Sequence, residues 1–233
     1  MKITAIVPAA GSSTRFQNEV PKLLMNLNGK PVIVHTLDVL LTFCHQLIIP
    51  VPREKMMGYD GVFEKYLGPK KRFIEIIAGG ATRAGSISEA LVHISPESTA
   101  VCVHDGARPL ITHEIISKCL ASIEKHEAVI VARPATDTLK ITEIKNDEIK
   151  ITETPDRKKY YLAQTPQIFK TETLLKAYAQ PNIETATDDA SLVERLGKDV
   201  FIVEGPAQNI KITTYEDFLL AEAILKTRCT ESA

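Results

Sequence analysis

Four stretches of this sequence carry residues suited to gathering anions. The first is Pro8-Ala9-Ala10-Gly11-Ser12-Ser13-Thr14-Arg15, followed by Pro21-Lys22. Small side chains let backbone N–H groups approach a phosphate closely, and a turn of such groups makes an anion-binding nest. Ala10, Gly11 and Ser12 would form that nest, and Arg15 and Lys22 would add two fixed cations for a triphosphate. The run is neither a G-x-G-x-x-G fingerprint nor a P-loop. The second stretch is Gly79-Gly80-Ala81, with Ser86 beyond it. Main-chain groups beside glycines can meet a flat heterocycle in its plane. The third is Asp105, directly after the apolar run Val101-Cys102-Val103. A hard cation such as Mg²⁺ takes few protein carboxylates and several phosphate oxygens, so Asp105 is the candidate metal ligand. It is equally a candidate for sugar hydroxyls, or for pairing with Arg83 or Arg108. The fourth is Lys211 in Asn209-Ile210-Lys211-Ile212-Thr213, where alternation turns it away from the face shared by the two isoleucines.

The elements needed to hold these groups can be read from periodicity. Strands are expected over Thr4–Ala9, Gln46–Val51, Phe73–Ala78, Ala100–His104, Ala128–Ala132 and Val200–Val203. Helices are expected over Pro31–Phe43, Lys55–Leu67, Arg83–Ile94, Thr112–Lys125, Thr171–Ala179, Asp188–Leu196 and Tyr215–Lys226. The alternation of the two indicates α/β architecture. One Rossmann-like domain is expected, a mostly parallel twisted sheet flanked by helices. Every candidate loop then follows a strand, at the sheet edge where ligands of such folds bind. Residues 137–164 break the pattern. Thr138-Leu139-Lys140-Ile141 and Ile149-Lys150-Ile151-Thr152 alternate around Asn146-Asp147, which reads as a polar β-hairpin arm leaving the domain.

Bulk properties narrow the partners. The 233 residues are 44% hydrophobic and 24% charged, with a formal net charge of −1. No global field draws in nucleic acid, so anions must be met by locally gathered cations. No apolar run approaches the ~20 residues needed to span a bilayer, so no membrane partner is expected. The N-terminus runs straight into a strand without a signal-peptide core. Cys44, Cys102, Cys119 and Cys229 lack C-x-x-C or zinc spacing and read as reduced thiols. A cytoplasmic protein is the expectation.

Further motifs run in order along the chain. They are Gly79-Gly80-x-x-Arg83-x-x-Ser86, His104-Asp105-Gly106-Ala107-Arg108-Pro109, Asp137-Thr138-x-Lys140, Asp156-Arg157, Gln164-Thr165-Pro166-Gln167, Thr187-Asp188-Asp189-Ala190-Ser191 and Asn209-Ile210-Lys211-Ile212-Thr213. With the first loop they resemble the 2-C-methyl-D-erythritol 4-phosphate cytidylyltransferase family, from Ile3 to about Leu225. The resemblance implies a nucleotidyltransferase domain that binds CTP and 2-C-methyl-D-erythritol 4-phosphate with Mg²⁺. It implies that Arg15, Lys22 and Lys211 hold the phosphates and act in catalysis. Ala10, Gly80 and Ala81 would contact cytidine through the backbone, and Ser86 through its hydroxyl. An Asp often stands in this family where this chain has Ala81. Asp105 would lie at the junction of both substrates. Thr138, Arg157, Thr165, Thr187 and Lys211 would hold the acceptor. Thr138 and Arg157 would be lent across a homodimer by embracing arms.

The implied chemistry is attack of a phosphate monoester on the α-phosphorus of CTP, with pyrophosphate leaving. The nucleophile has a second pKa near ~6 and needs no general base at neutral pH. His104 is therefore read as structural, and Arg108 as a support of its loop. Two unit charges ~4 Å apart repel by roughly 4 kcal/mol at an effective dielectric of ~20. Fixed positive charge and positioning are the catalysis required. A ribitol 5-phosphate cytidylyltransferase would share the CTP half. A nucleotide-binding regulatory subunit would share the fold alone.

Overall fold

The computed structural model describes residues 1–11 and 21–231. The chain forms β1 (Ile3–Ile6), β2 (Asn26–Leu27), β3 (Lys30–Pro31), α1 (Val32–Leu40), β4 (Gln46–Val51), α2 (Met56–Leu67), β5 (Ile74–Ala78), α3 (Arg83–Leu91) and β6 (Ala100–Val103). There follow α4 (His113–Ile123), β7 (Ala128–Pro134), β8 (Ile141–Lys145), β9 (Glu148–Glu153), β10 (Tyr161–Lys170), α5 (Thr171–Tyr178), α6 (Asp189–Arg195), β11 (Phe201–Glu204) and α7 (Tyr215–Glu231). A seven-stranded sheet runs β11-β7-β10-β6-β1-β4-β5. Its pairs are parallel except those of β10, which is antiparallel to β6 and β7.

Period-two alternation divides each central strand between two cores. Ala5 and Val7, Leu47 and Ile49, Val129 and Val131 face one layer with α1, α2 and α4. Ile6, Ile48, Val101 and Val103 face the other, with residues of α3, α5 and α6. Burial on both faces is why these strands read as continuous apolar runs. Helix α2 keeps Tyr59, Phe63 and Leu67 inward at four-residue spacing, despite Gly58 and Gly61 on its exposed side. Thr112 caps α4 by accepting from the Ile115 N–H, as its position predicts.

The arm is shorter than its predicted span. Strands β8 and β9 pair with each other, their turn residues Asn146 and Asp147 have φ of 51° and 62°, and every residue of both strands is exposed. Positive φ at two successive turn residues is the two-residue hairpin geometry that Asn and Asp tolerate. Residues 161–164, assigned to the arm from sequence, instead begin β10, a ten-residue strand of the main sheet. Its first three residues are exposed and its next six buried. The polar Gln164, Thr165 and Gln167 keep the buried half from reading as a strand, and of that half only Gln164 falls within the arm's predicted span.

Candidate active site

The loops that end β1, β4, β5 and β6 converge on one side of the sheet and enclose a cleft of about 690 Å³. Pro8, Ala9, Ala10 and Gly11 come from the first, Pro52 from the second, Gly80 and Ala81 from the third, Asp105 and Gly106 from the fourth. Lys22 and Lys211 also line it. This is the crevice beyond the carboxyl ends of parallel strands where such folds bind ligands. Ser12 and Arg15 lie outside the described residues.

The Gly79-Gly80 turn is compressed. A Cβ on Gly80 would stand 2.7 Å from the Gly85 carbonyl carbon and 3.0 Å from the Ser86 nitrogen. One on Gly79 would stand 2.5 Å from the Ala10 Cβ, so the β1 and β5 loops touch there. Ser86 is buried in the cleft wall, its hydroxyl 3.2 Å from the Gly80 carbonyl and 2.8 Å from the Thr82 carbonyl. With one O–H proton it donates inward and keeps lone pairs to accept with. Thr82 caps α3 by accepting from the Gly85 N–H at 2.9 Å.

Asp105 is the electrostatic centre. One carboxylate oxygen is 2.9 Å from Lys211 Nζ and 3.7 Å from Arg108 Nε, and the other 3.4 Å from Arg83 Nε. Burial opposes ionisation of this carboxyl, but the charges of Lys211, Arg83 and Arg108 outweigh it and hold its pKa well below the usual carboxylate range. The pairing with Arg83 and Arg108 and the place in the cleft, set as alternatives by the sequence, hold together. Arg108 donates to the Asn209 carbonyl at 2.7 Å and so braces the segment that carries Lys211. His104 is fully buried, with Nε2 3.3 Å from the Arg108 carbonyl. Burial drives its pKa down to about 4, so it is neutral at physiological pH and lines neither recess, in keeping with a structural role.

A second recess of about 230 Å³ adjoins the first, with Arg83, Asp105 and Lys211 in the wall common to both. Thr165 and Thr187 line it. The buried Thr165 hydroxyl oxygen accepts the Asp105 backbone N–H at 3.0 Å, leaving its own O–H to donate. Thr187 is exposed, and the cap of α6 is Asp188, which accepts from the Ser191 N–H at 3.1 Å. Thr138 and Arg157 line neither recess of their own chain. Both are exposed, and Arg157 donates to the Thr136 carbonyl at 2.7 Å. Asp156 caps the Arg157–Lys159 turn instead of neutralising Arg157.

Several residues that organise the site had no signal of their own in the sequence. The fully buried Asn209 amide donates to Gln164 Oε1 at 3.1 Å and to the Thr165 carbonyl at 2.9 Å, tying β10 to the Lys211 segment. Gln167 donates to Asp188 and accepts from the Ala190 N–H, fixing the start of α6. Asp189 grips Arg83 through both terminal nitrogens, at 3.2 and 2.7 Å. Their places in the motifs quoted above are the cue available, and it does not name their partners.

Among the described residues no cluster of three or more His, Cys, Asp or Glu side chains is placed to hold a metal. Asp105 is the carboxylate common to both recesses, with Glu54 in the wall of the larger and Asp188 in that of the smaller. That donor set fits a divalent cation that arrives on phosphate oxygens and takes one protein ligand, and does not fit a closed protein cage.

Comparison with known proteins agrees with this geometry. The family model described as 2-C-methyl-D-erythritol 4-phosphate cytidylyltransferase matches residues 3–227. A protein of that name from Syntrophus aciditrophicus is 42% identical over 97% of this chain and 96% of its own. One from Bacillus cereus is 40% identical over 95% and 97%. The crystal structure of 4-diphosphocytidyl-2C-methyl-D-erythritol synthase from Anaerococcus prevotii superposes with a TM-score of 0.81 at 33% identity, covering 97% of this chain and 98% of that one. The 2-C-methyl-D-erythritol 4-phosphate cytidylyltransferase of Thermus thermophilus gives 0.78 at 29% identity, covering 97% and 100%. With nearly the whole sequence matched and the sheet, cleft and recess in place, the chain belongs to the 2-C-methyl-D-erythritol 4-phosphate cytidylyltransferase family.

Proposed function

We propose that this protein transfers the cytidylyl group of CTP to 2-C-methyl-D-erythritol 4-phosphate, releasing pyrophosphate and forming 4-diphosphocytidyl-2-C-methyl-D-erythritol for isoprenoid precursor synthesis. The observation that carries the reading is the common wall of Arg83, Asp105 and Lys211 between a nucleotide-sized cleft and a smaller polar recess. A reaction between two anions needs positive charge where they meet, and the wall supplies it. The acceptor phosphate attacks the α-phosphorus as its oxygen–phosphorus bond forms, and the bond to pyrophosphate breaks. No proton has to be removed from a dianionic phosphate, so a neutral, buried His104 is no handicap.

Within this reading Lys22 and Arg15 bind the triphosphate and Lys211 bridges to the acceptor phosphate. The Ala10–Ser12 loop, Gly80, Ala81 and Ser86 bind the nucleotide, and the cleft position of all but Ser12 supports this. Thr165 and Thr187 orient the acceptor. Asp105, with phosphate oxygens of the nucleotide, would hold Mg²⁺, which would supply further neutralisation of phosphate charge. The active unit is a homodimer in which each arm lends Thr138 and Arg157 to the partner's recess. Its support is the arm's exposed apolar side chains, Ile144 at 79% and Ile149 at 73%, and the fact that Arg157 does not line the recess of its own chain. The buried, unpaired thiols of Cys44, Cys102 and Cys119 suit a reducing, cytoplasmic setting.

The test is pyrophosphate release from CTP with Mg²⁺ and each of two acceptors. Release with 2-C-methyl-D-erythritol 4-phosphate and at least tenfold less with ribitol 5-phosphate is expected. Release with neither would leave a nucleotide-binding protein without turnover.

A further inference from the structure

Asp189 is fully buried at the first turn of α6, lines neither recess, and still carries a carboxylate. Its oxygens are taken by Arg83 Nη1 at 3.2 Å, Arg83 Nη2 at 2.7 Å and the Tyr178 hydroxyl at 2.5 Å. Tyr178 is buried as well, and burial together with the Asp189 charge keeps its phenol protonated, so it remains a donor. A charge so placed is costly, and a packed apolar residue would often serve stability as well. What Asp189 does here is hold a guanidinium by its far end.

Arg83 has five N–H donors in a rigid fork. Two are committed to Asp189, and the Nε edge alone reaches Asp105, at 3.4 Å. Lys211 therefore keeps the other Asp105 oxygen at 2.9 Å. A chain of contacts runs Tyr178, Asp189, Arg83, Asp105, Lys211, from the core to the wall between the two recesses.

We propose that Asp189 is a positioning residue for the transfer: it restrains Arg83 so that the guanidinium cannot fork onto Asp105 and evict Lys211 from the wall. Free of Asp189, Arg83 would find Asp105 the nearest remaining carboxylate. A bidentate Arg–carboxylate pair is the stronger geometry and would occupy both oxygens. Lys211 would lose its anchor and swing outward. The kinetic part of the claim rests on the transfer reaction proposed above, and the positional part does not.

The experiment compares wild type, Asp189→Asn, Tyr178→Phe and Arg83→Gln with and without Asp189→Asn. It measures acceptor-dependent turnover, and the rate of reductive methylation of Lys211 against the exposed Lys70, by peptide mass spectrometry. Asp189→Asn should lower kcat by 10- to 100-fold (order of magnitude, for losing one charge-assisted anchor) with KM for CTP changed less than about threefold. Lys211 should label at least about threefold faster. In the Arg83→Gln background the Asp189→Asn change should do nothing further, because no guanidinium remains to restrain. Unchanged Lys211 labelling in folded Asp189→Asn protein, or an undiminished Asp189→Asn effect without Arg83, overturns the proposal. Tyr178→Phe keeps both Asp189–Arg83 bonds and serves as the control with near wild-type labelling. Should Asp189→Asn not fold, Asp189→Ser decides, faster Lys211 labelling supporting the proposal and unchanged labelling in the folded protein overturning it. A wild type that releases no pyrophosphate would sink the reaction, while the labelling would still decide the role of Asp189.

Discussion

Asp105→Asn is the substitution whose consequences the geometry defines most sharply. The amide is nearly isosteric and leaves the backbone N–H bond to Thr165 untouched. It removes one negative charge that faces cations at 2.9, 3.4 and 3.7 Å. At an effective dielectric of ~20 each contact is worth roughly 5 kcal/mol before desolvation is charged against it. Measured losses on breaking a buried pair run about 3–5 kcal/mol. The Lys211 and Arg83 side chains are 40% and 31% exposed and can turn toward water, which places the loss near ~2–3 kcal/mol. For a chain of this size that lowers Tm by about 5–10 °C. Calorimetry of both proteins at pH 7 measures it. Inorganic tripolyphosphate without divalent metal should then stabilise Asp105→Asn more than wild type, because the anion replaces the missing charge. The pH dependence has a definite sign. The folded carboxyl has its pKa depressed, so its contribution is complete above the unfolded value near ~4 and fades as pH falls through the lower folded value. The gap between the two proteins should be flat from pH 5 to 8 and shrink only in strong acid. A Tm loss under 1 °C, or weaker anion stabilisation of the variant, would refute the view that Asp105 is the counter-ion of three cations.

Further outcomes are expected. Gly80→Ala puts a methyl group 2.7 Å from the Gly85 backbone; relief of the clash should cost about 1–3 kcal/mol and raise KM for CTP about tenfold, and unaltered CTP saturation kinetics would count against a tight nucleotide loop. Lys22→Ala should cut kcat at least about 100-fold while raising KM for CTP far less, measured by steady-state pyrophosphate release, since a cation that serves the transition state is lost. Gly58→Ala fills open space on the exposed side of α2 and should raise stability by about 0.5–1 kcal/mol in urea titration without touching turnover. Ile144→Glu combined with Ile149→Glu should shift sedimentation toward monomer and lower kcat if the arms complete each other's sites.

Much of the scaffold was legible because its signals are local. Strand β4 and the start of α3 fall where periodicity put them, and Thr112 caps the helix it was expected to cap. The carboxyl-end loops were legible for the same reason: a run of small residues after an apolar strand needs no distant partner to be noticed. β10 was not, because Gln164, Thr165 and Gln167 are polar residues inside a buried strand, satisfied by Asn209, the Asp105 N–H and α6. Those partners lie 21 to 60 residues away in sequence. The Asp189–Arg83 pair belongs to the same class: both residues stand in the quoted motifs, but their pairing is invisible until the fold brings α3 and α6 together.

The antiparallel strand β10 of the main sheet has a consequence for how such a protein can diversify. The larger cleft is built by loops from four parallel strands, whereas four of the ten residues lining the smaller recess, Ala163, Gln164, Thr165 and Gln167, come from β10. Substitutions along that ribbon would reshape the smaller recess while leaving the loops of the larger cleft in place. The donor half would keep its grip on cytidine throughout.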